Sequence, residues 1–144
     1  MLDTRIIDGD RGTSKGVRVS SIGELTTAPF AYSQSVFKEM DLTATAYNFY
    51  EPRAGEQFVI TGMRGKADRQ VSTTADADVI IYEATSATTT TVTKTLHQEA
   101  MVRGEAFTIV GIRLLITEGR WVNAKTSDDD IHMTIFGHYI PTLT

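Results

Sequence analysis

The sequence predicts an all-β protein, an antiparallel β-sandwich of jelly-roll type with an extended N-terminal arm. Three observations carry this reading. Residues Ile112 to Ile140 read as three strands in a row, with Ile112, Leu114 and Ile116 on one parity and Ile131, Met133, Ile135 and Tyr139 again on one parity. Successive strand side chains point to opposite faces, so such alternation buries one side of a sheet. From residue 45 onward, turn signals recur at roughly the 8–12-residue spacing of sandwiches. Finally, the 144 residues include 22 threonines and only 3 prolines. Threonine is β-branched and keeps a hydroxyl for water, which suits a sheet with one solvated face.

Residues 1 to about 30 are expected to be an arm, with the sandwich over 31–144. Asp8 to Gly16 is turn chemistry throughout, Val17-Arg18-Val19-Ser20 is a short alternating strand, and too few apolar residues follow to build a separate core. Residues 30 to 45 hold Phe30, Tyr32, Val36, Phe37 and Met40 without a sustained helical period; the expectation is an extended connection with at most one helical turn.

Tyr47 to Tyr50 is a strand stopped by Glu51-Pro52, since proline donates nothing to a ladder. Gln57 to Met63 is strongly apolar, and Gly62 within it predicts a bulge or a close approach. Arg64 to Asp76 reads as a polar loop with a short strand at Gln70 to Ser72. Val79 to Tyr82 is apolar on both parities and predicts a central strand covered on both sides. Thr91 to His97 alternates again, Gln98 to Val102 fits strand or turn, and Ala106 to Val110 leads into the final three strands, which are expected to form a meander. The total is about eight strands after residue 45. A jelly roll or related Greek key accommodates them, with a barrel as the alternative.

Composition narrows the function. Hydrophobic content of 41% suits a single globular domain, and no apolar run nears the ~20 residues of a spanning helix. The N-terminus lacks the basic start and long apolar run of a secretory signal. A net charge of −4 with scattered basic residues argues against nucleic-acid binding. The absence of cysteine excludes disulfides and thiolate chemistry.

No catalytic motif survives its structural requirement. Gly12-Thr13-Ser14-Lys15-Gly16 matches G-x-S-x-G but has a polar turn before it and a strand after it. Ser35 to Lys38 matches S-x-x-K without the companion motifs. Asp128-Asp129-Asp130 lacks the spacing of a calcium loop and reads as a solvated turn. His132 and His138 stand six apart on one strand face, too far for joint ligation, and read as surface or interface histidines. The expectation is a protein that is not an enzyme, with no metal and no cofactor. Trp121 is read as a near-core aromatic or a contact residue. Glu83 to Thr95, rich in threonine, reads as a mobile loop or a strand edge.

Taken together, Asp8-Gly9 through Gly16-Val17-Arg18-Val19 to Gly23-Glu24-Leu25, then Phe58 to Gly62, Val79 to Ala84, Thr117 to Asn123 and Phe136 to Tyr139, resemble small tailed-phage virion proteins, in particular head decoration or cement proteins. That resemblance implies binding to the major capsid protein on the outer head surface, as a homo-oligomer with a trimer ahead of a dimer, after synthesis in the host cytoplasm. It implies no nucleic acid or membrane partner. Arg11, Lys15, Val17, Arg18, Val19 and Leu25 would be the arm's contacts with capsid or neighbouring subunits. The alternative is a carbohydrate- or receptor-binding module of a tail or neck, with Trp121, Tyr139 or Tyr82 as a stacking platform.

Overall fold

The structure is a computed structural model and describes residues 34–41, 44–68, 76–128 and 130–142. The predicted arm, its contact residues and the short strand expected at Gln70 to Ser72 lie outside the described residues.

Eight strands are described: β1 (Gln34–Met40), β2 (Tyr47–Tyr50), β3 (Glu56–Ala67), β4 (Ala77–Ala84), β5 (Lys94–Met101), β6 (Ala106–Leu115), β7 (Trp121–Thr126) and β8 (Ile131–Pro141). They form two four-stranded antiparallel sheets, the first in the order β1-β8-β3-β6 and the second in the order β2-β7-β4-β5. The pairs β1·β8, β2·β7, β3·β6 and β4·β5 are nested, like the rungs of one long hairpin rolled up until β8 meets β3 and β7 meets β4. This is the jelly roll expected from the strand count.

Three local expectations need correction. β6, β7 and β8 are consecutive strands but no meander: β7 lies in the second sheet, between neighbours in the first. Alternation reports which face of a strand is buried and is silent about which strand lies beside it. Residues 34–40 form a strand, and the described residues contain no helix. Among the described residues, seven strands, β2 to β8, follow residue 45. β3 also runs on through Arg64 to Ala67, because its inward positions Met63, Gly65 and Ala67 stay buried while the exposed Arg64 and Lys66 face water.

The core lies between the sheets. Ile60, Met63, Ile131, Met133 and Ile135 of the first sheet meet Val79, Ile81, Val122 and Ala124 of the second. The predicted bulge at Gly62 is present: the register of β3 shifts there against both β6 and β8. A Cβ on Gly62 would lie 2.9 Å from the Ile109 carbonyl oxygen, so the close approach excludes a side chain.

β4 is central in the second sheet, as expected from Val79 to Tyr82. Its outer side is covered by the threonine-rich loop of residues 85–93, which is bound to the sheet by polar contacts. Asn123 Nδ2 donates to the Ser86 and Thr89 carbonyls (3.0 and 3.3 Å), the Tyr82 hydroxyl donates to Thr89 (2.8 Å), and Lys125 Nζ donates to Thr90 (2.9 Å). Glu83, buried at the end of β4, accepts from the Thr117 backbone N–H (2.9 Å) and hydroxyl (3.2 Å), tying β4 to the turn after β6. A buried carboxylate is tolerable only with such partners.

Candidate interaction surface

The outer face of the first sheet differs from that of the second. Strand pairing sets three rows across it: Glu39, His132, Lys66 and Ala106; Phe37, Thr134, Arg64 and Thr108; Ser35, Phe136, Gly62 and Val110. Phe37 is 58% exposed and Val110 71% exposed. Phe37, Arg64, Lys66, Thr108, His132 and Thr134 line a shallow depression of about 350 Å³. The Phe37 ring stands edge-on to His132, with centroids 5.8 Å apart.

Why apolar residues sit here follows from the strands. Among the described residues β1 is an edge strand, paired on one side only, by β8. Its inward residues Val36 and Met40 anchor it, and the intervening positions Ser35, Phe37 and Glu39 must then face outward. Burying a side chain such as Phe37 against a partner would contribute ~1.5–3 kcal/mol. A free strand edge offers backbone N–H and C=O groups to the same partner.

His132 also marks one corner of this face. Its Nε2 lies 3.0 Å from Glu39 Oε2 on β1, 3.2 Å from Asp130 Oδ1 in the turn before β8, and 3.8 Å from Asp68 Oδ2 just past β3. Asp130 holds a φ of 63°, a conformation that aspartate tolerates better than most residues. Sequence reasoning separated these residues into a solvated turn and a surface histidine. Only the Asp130-x-His132 spacing was readable; Glu39 is 93 residues away from His132.

The three histidines do not converge. His132 and His138 are on β8 in the first sheet, whereas His97 is on β5 in the second and pairs with Glu99 at 2.9 Å.

The predicted aromatic contacts are scattered as well. Tyr82 is fully buried beneath the threonine-rich loop and offers no platform. Burial holds its hydroxyl above the ordinary tyrosine pKa, opposed by a hydrogen bond from Asn123. Tyr139 is partly buried; the Arg53 guanidinium lies 3.7 Å over its ring and its hydroxyl donates to the Glu51 carbonyl at 2.7 Å. Burial raises its pKa too, with Arg53 pulling the other way. Trp121 opens β7 opposite Ala84 and is partly exposed.

The fold and this face define a jelly-roll sandwich with an exposed, partly apolar sheet. No protein-family model matches the sequence, and no curated protein matches it. Among solved structures, the chain is similar to a subunit from Bacillus endospore appendages, described as disulfide-linked pili, at 11% identity and a TM-score of 0.48, covering 90% of this chain and 100% of that one. It is also similar to a chain of the capsid asymmetric unit of cyanophage Pam1, at 17% identity and a TM-score of 0.41, covering 92% of this chain and 99% of that one. At these values neither likeness says what this chain does, and the fold rests on the strand pairing itself.

Proposed function

We propose that this chain is a non-enzymatic structural protein of a tailed-phage virion, binding the outer face of the capsid and stabilising the shell as a decoration or cement protein. The observation that carries the reading is the outer face of the first sheet, where Phe37 on β1 and Val110 on β6, the two outermost strands of that sheet among the described residues, stand exposed on either side of Arg64 and Lys66 on β3. Apolar groups rimmed by charge on an open sheet are the chemistry of an assembly contact. Repetition over a shell multiplies a modest contact, and a homo-oligomer, trimer first, adds to that effect. The sequence resemblance supplies the kind of partner, the major capsid protein. Fold alone would not.

In this reading residues 1–30, which lead toward β1, reach capsid or neighbouring subunits through Arg11, Lys15, Val17, Arg18, Val19 and Leu25. The first test is immunogold labelling of intact virions with antibody to this chain. Gold over the whole head is expected. Gold confined to tail or neck would overturn the reading in favour of a receptor-binding module. Removal of residues 1–25 is expected to leave a folded sandwich with weakened shell binding.

A further inference from the structure

From the corner at His132, we infer a binding site for a divalent first-row transition cation, with Glu39, Asp130 and His132 as its protein ligands and Asp68 beside it. The argument starts from proton counting. An imidazole Nε2 carries at most one hydrogen. Yet the Glu39 and Asp130 carboxylate oxygens both lie within hydrogen-bond distance of that nitrogen, at 3.0 and 3.2 Å, with Asp68 third at 3.8 Å. One N–H cannot serve these acceptors well, whereas a cation at the centre serves each of them.

The spacing agrees with coordination chemistry. Zinc bonds of ~2.0–2.2 Å to nitrogen and oxygen place neighbouring ligand atoms about 3.0–3.5 Å apart. The two separations from Nε2 are already in that range. All three ligand atoms lie within 4.8 Å of one another. Glu39 is exposed, so its side chain is free to rotate and close the third side. Water would complete the sphere. The single imidazole turns the preference from calcium, which takes oxygen ligands, toward zinc and its neighbours.

The site also has an architectural effect. Its ligands come from the edge strand β1 and from β8 with its preceding turn, and Asp68 follows β3. A bound cation therefore fastens the edge strand to the centre of its sheet. Lys66, across from His132 on β3, faces the same side and opposes a cation by its own charge.

The test is calorimetric titration of the tag-free full chain with zinc chloride, paired with thermal unfolding. One zinc per chain is expected, with Kd below ~100 µM, and the midpoint should rise by ~5 °C or more at saturating zinc. His132→Ala and Glu39→Gln should each weaken binding by ~10-fold or more and remove the thermal shift; Lys66→Gln should tighten it. Thermal unfolding without zinc shows whether each variant is folded, and Asp130→Asn replaces any that is not. No saturable binding below ~1 mM would overturn the proposal, as would binding that survives both His132→Ala and Glu39→Gln. Equal affinity for calcium and zinc would also overturn it, because it would mean that the carboxylates act without the imidazole.

Discussion

Tyr50 lies stacked on Phe58 across the interior, ring centroids 3.7 Å apart and planes inclined by 23°. The first belongs to the second sheet and the second to the first. The Tyr50 hydroxyl continues across the gap, donating to the Ile135 carbonyl at 2.7 Å with the Gln34 carbonyl 3.1 Å away. One side chain therefore joins three strands of the opposite sheet, through stacking on β3 and hydrogen bonding to β8 and β1.

Tyr50→Phe keeps the stack and removes the hydrogen bond; a loss of ~1 kcal/mol is expected. Tyr50→Ala removes both and leaves a cavity, for ~3–5 kcal/mol. Urea unfolding of the three proteins measures both steps, and equal losses would show that the stack contributes nothing.

Alkaline pH should destabilise the fold. Burial raises the pKa of Tyr50 strongly above the ordinary 10.0, with a smaller contribution from Tyr139, and it raises Tyr82 and Tyr139 as well. A raised folded pKa favours the neutral hydroxyl in the native state. The stability it contributes is whole below about pH 10 and is lost as pH rises through the folded values. Tyrosinate absorbance should therefore appear late and together with unfolding, and Tyr50→Phe should flatten the alkaline slope.

Gly137 has no room for a side chain. A Cβ there would strike the Val59 carbonyl oxygen and lie 2.5 Å from the Phe58 ring. The carbonyl belongs to a paired strand and cannot step aside. Gly137→Ala is expected to cost ~2–3 kcal/mol. Gly65→Ala would meet mainly the Phe107 ring, a side chain able to shift, and should cost less. Chemical denaturation of the two variants gives the comparison.

Asn123 binds the threonine-rich loop to the sheet. Its Oδ1 accepts from Asn48 Nδ2 at 3.0 Å while its Nδ2 donates to the loop carbonyls. Asn123→Ala strips partners from groups on both sides, at ~1–3 kcal/mol. Hydrogen exchange in residues 85–93 should accelerate in the variant; unchanged exchange would mean the loop holds itself.

Phe37→Ser and Val110→Ser alter exposed positions and should change stability by no more than ~0.5 kcal/mol each. Co-sedimentation with capsids lacking this protein should nonetheless fall. Full binding by the double variant would move the contact away from this face.

The sequence made the strands legible where a clear alternation met a clear turn. Ile131, Met133 and Ile135 are buried and His132 and Thr134 partly exposed, as their parity requires. Gly62 announced its bulge because glycine within an apolar strand has few other uses. β1 was missed because its inward positions include the polar Gln34 and Lys38 while Phe37 faces outward, which erases the period-2 signal. The alternation of β6, β7 and β8 between sheets was invisible, since pairing is a long-range choice. So was the meeting of Glu39 with His132, which depends on β1 finding β8. The threonine-rich stretch gave no sign that its backbone carbonyls, rather than its hydroxyls, would bind the sheet.

The nested pairing also sets an order in time. β4 and β5 follow one another in both sequence and space, so that hairpin can close early. The pair β2·β7 gains its sheet neighbour only once β4·β5 has formed, and β1·β8 only once β3·β6 has, so the outermost pair, β1 with β8, is expected last. Folding should proceed as a slow zipping outward, in the range of milliseconds to seconds of non-local β proteins. Throughout that interval the free edge of β8 is a vacancy that the first strand of another copy fits equally well. Strand exchange between newly made chains is therefore the misassembly that this topology invites, and dilution during refolding should suppress it.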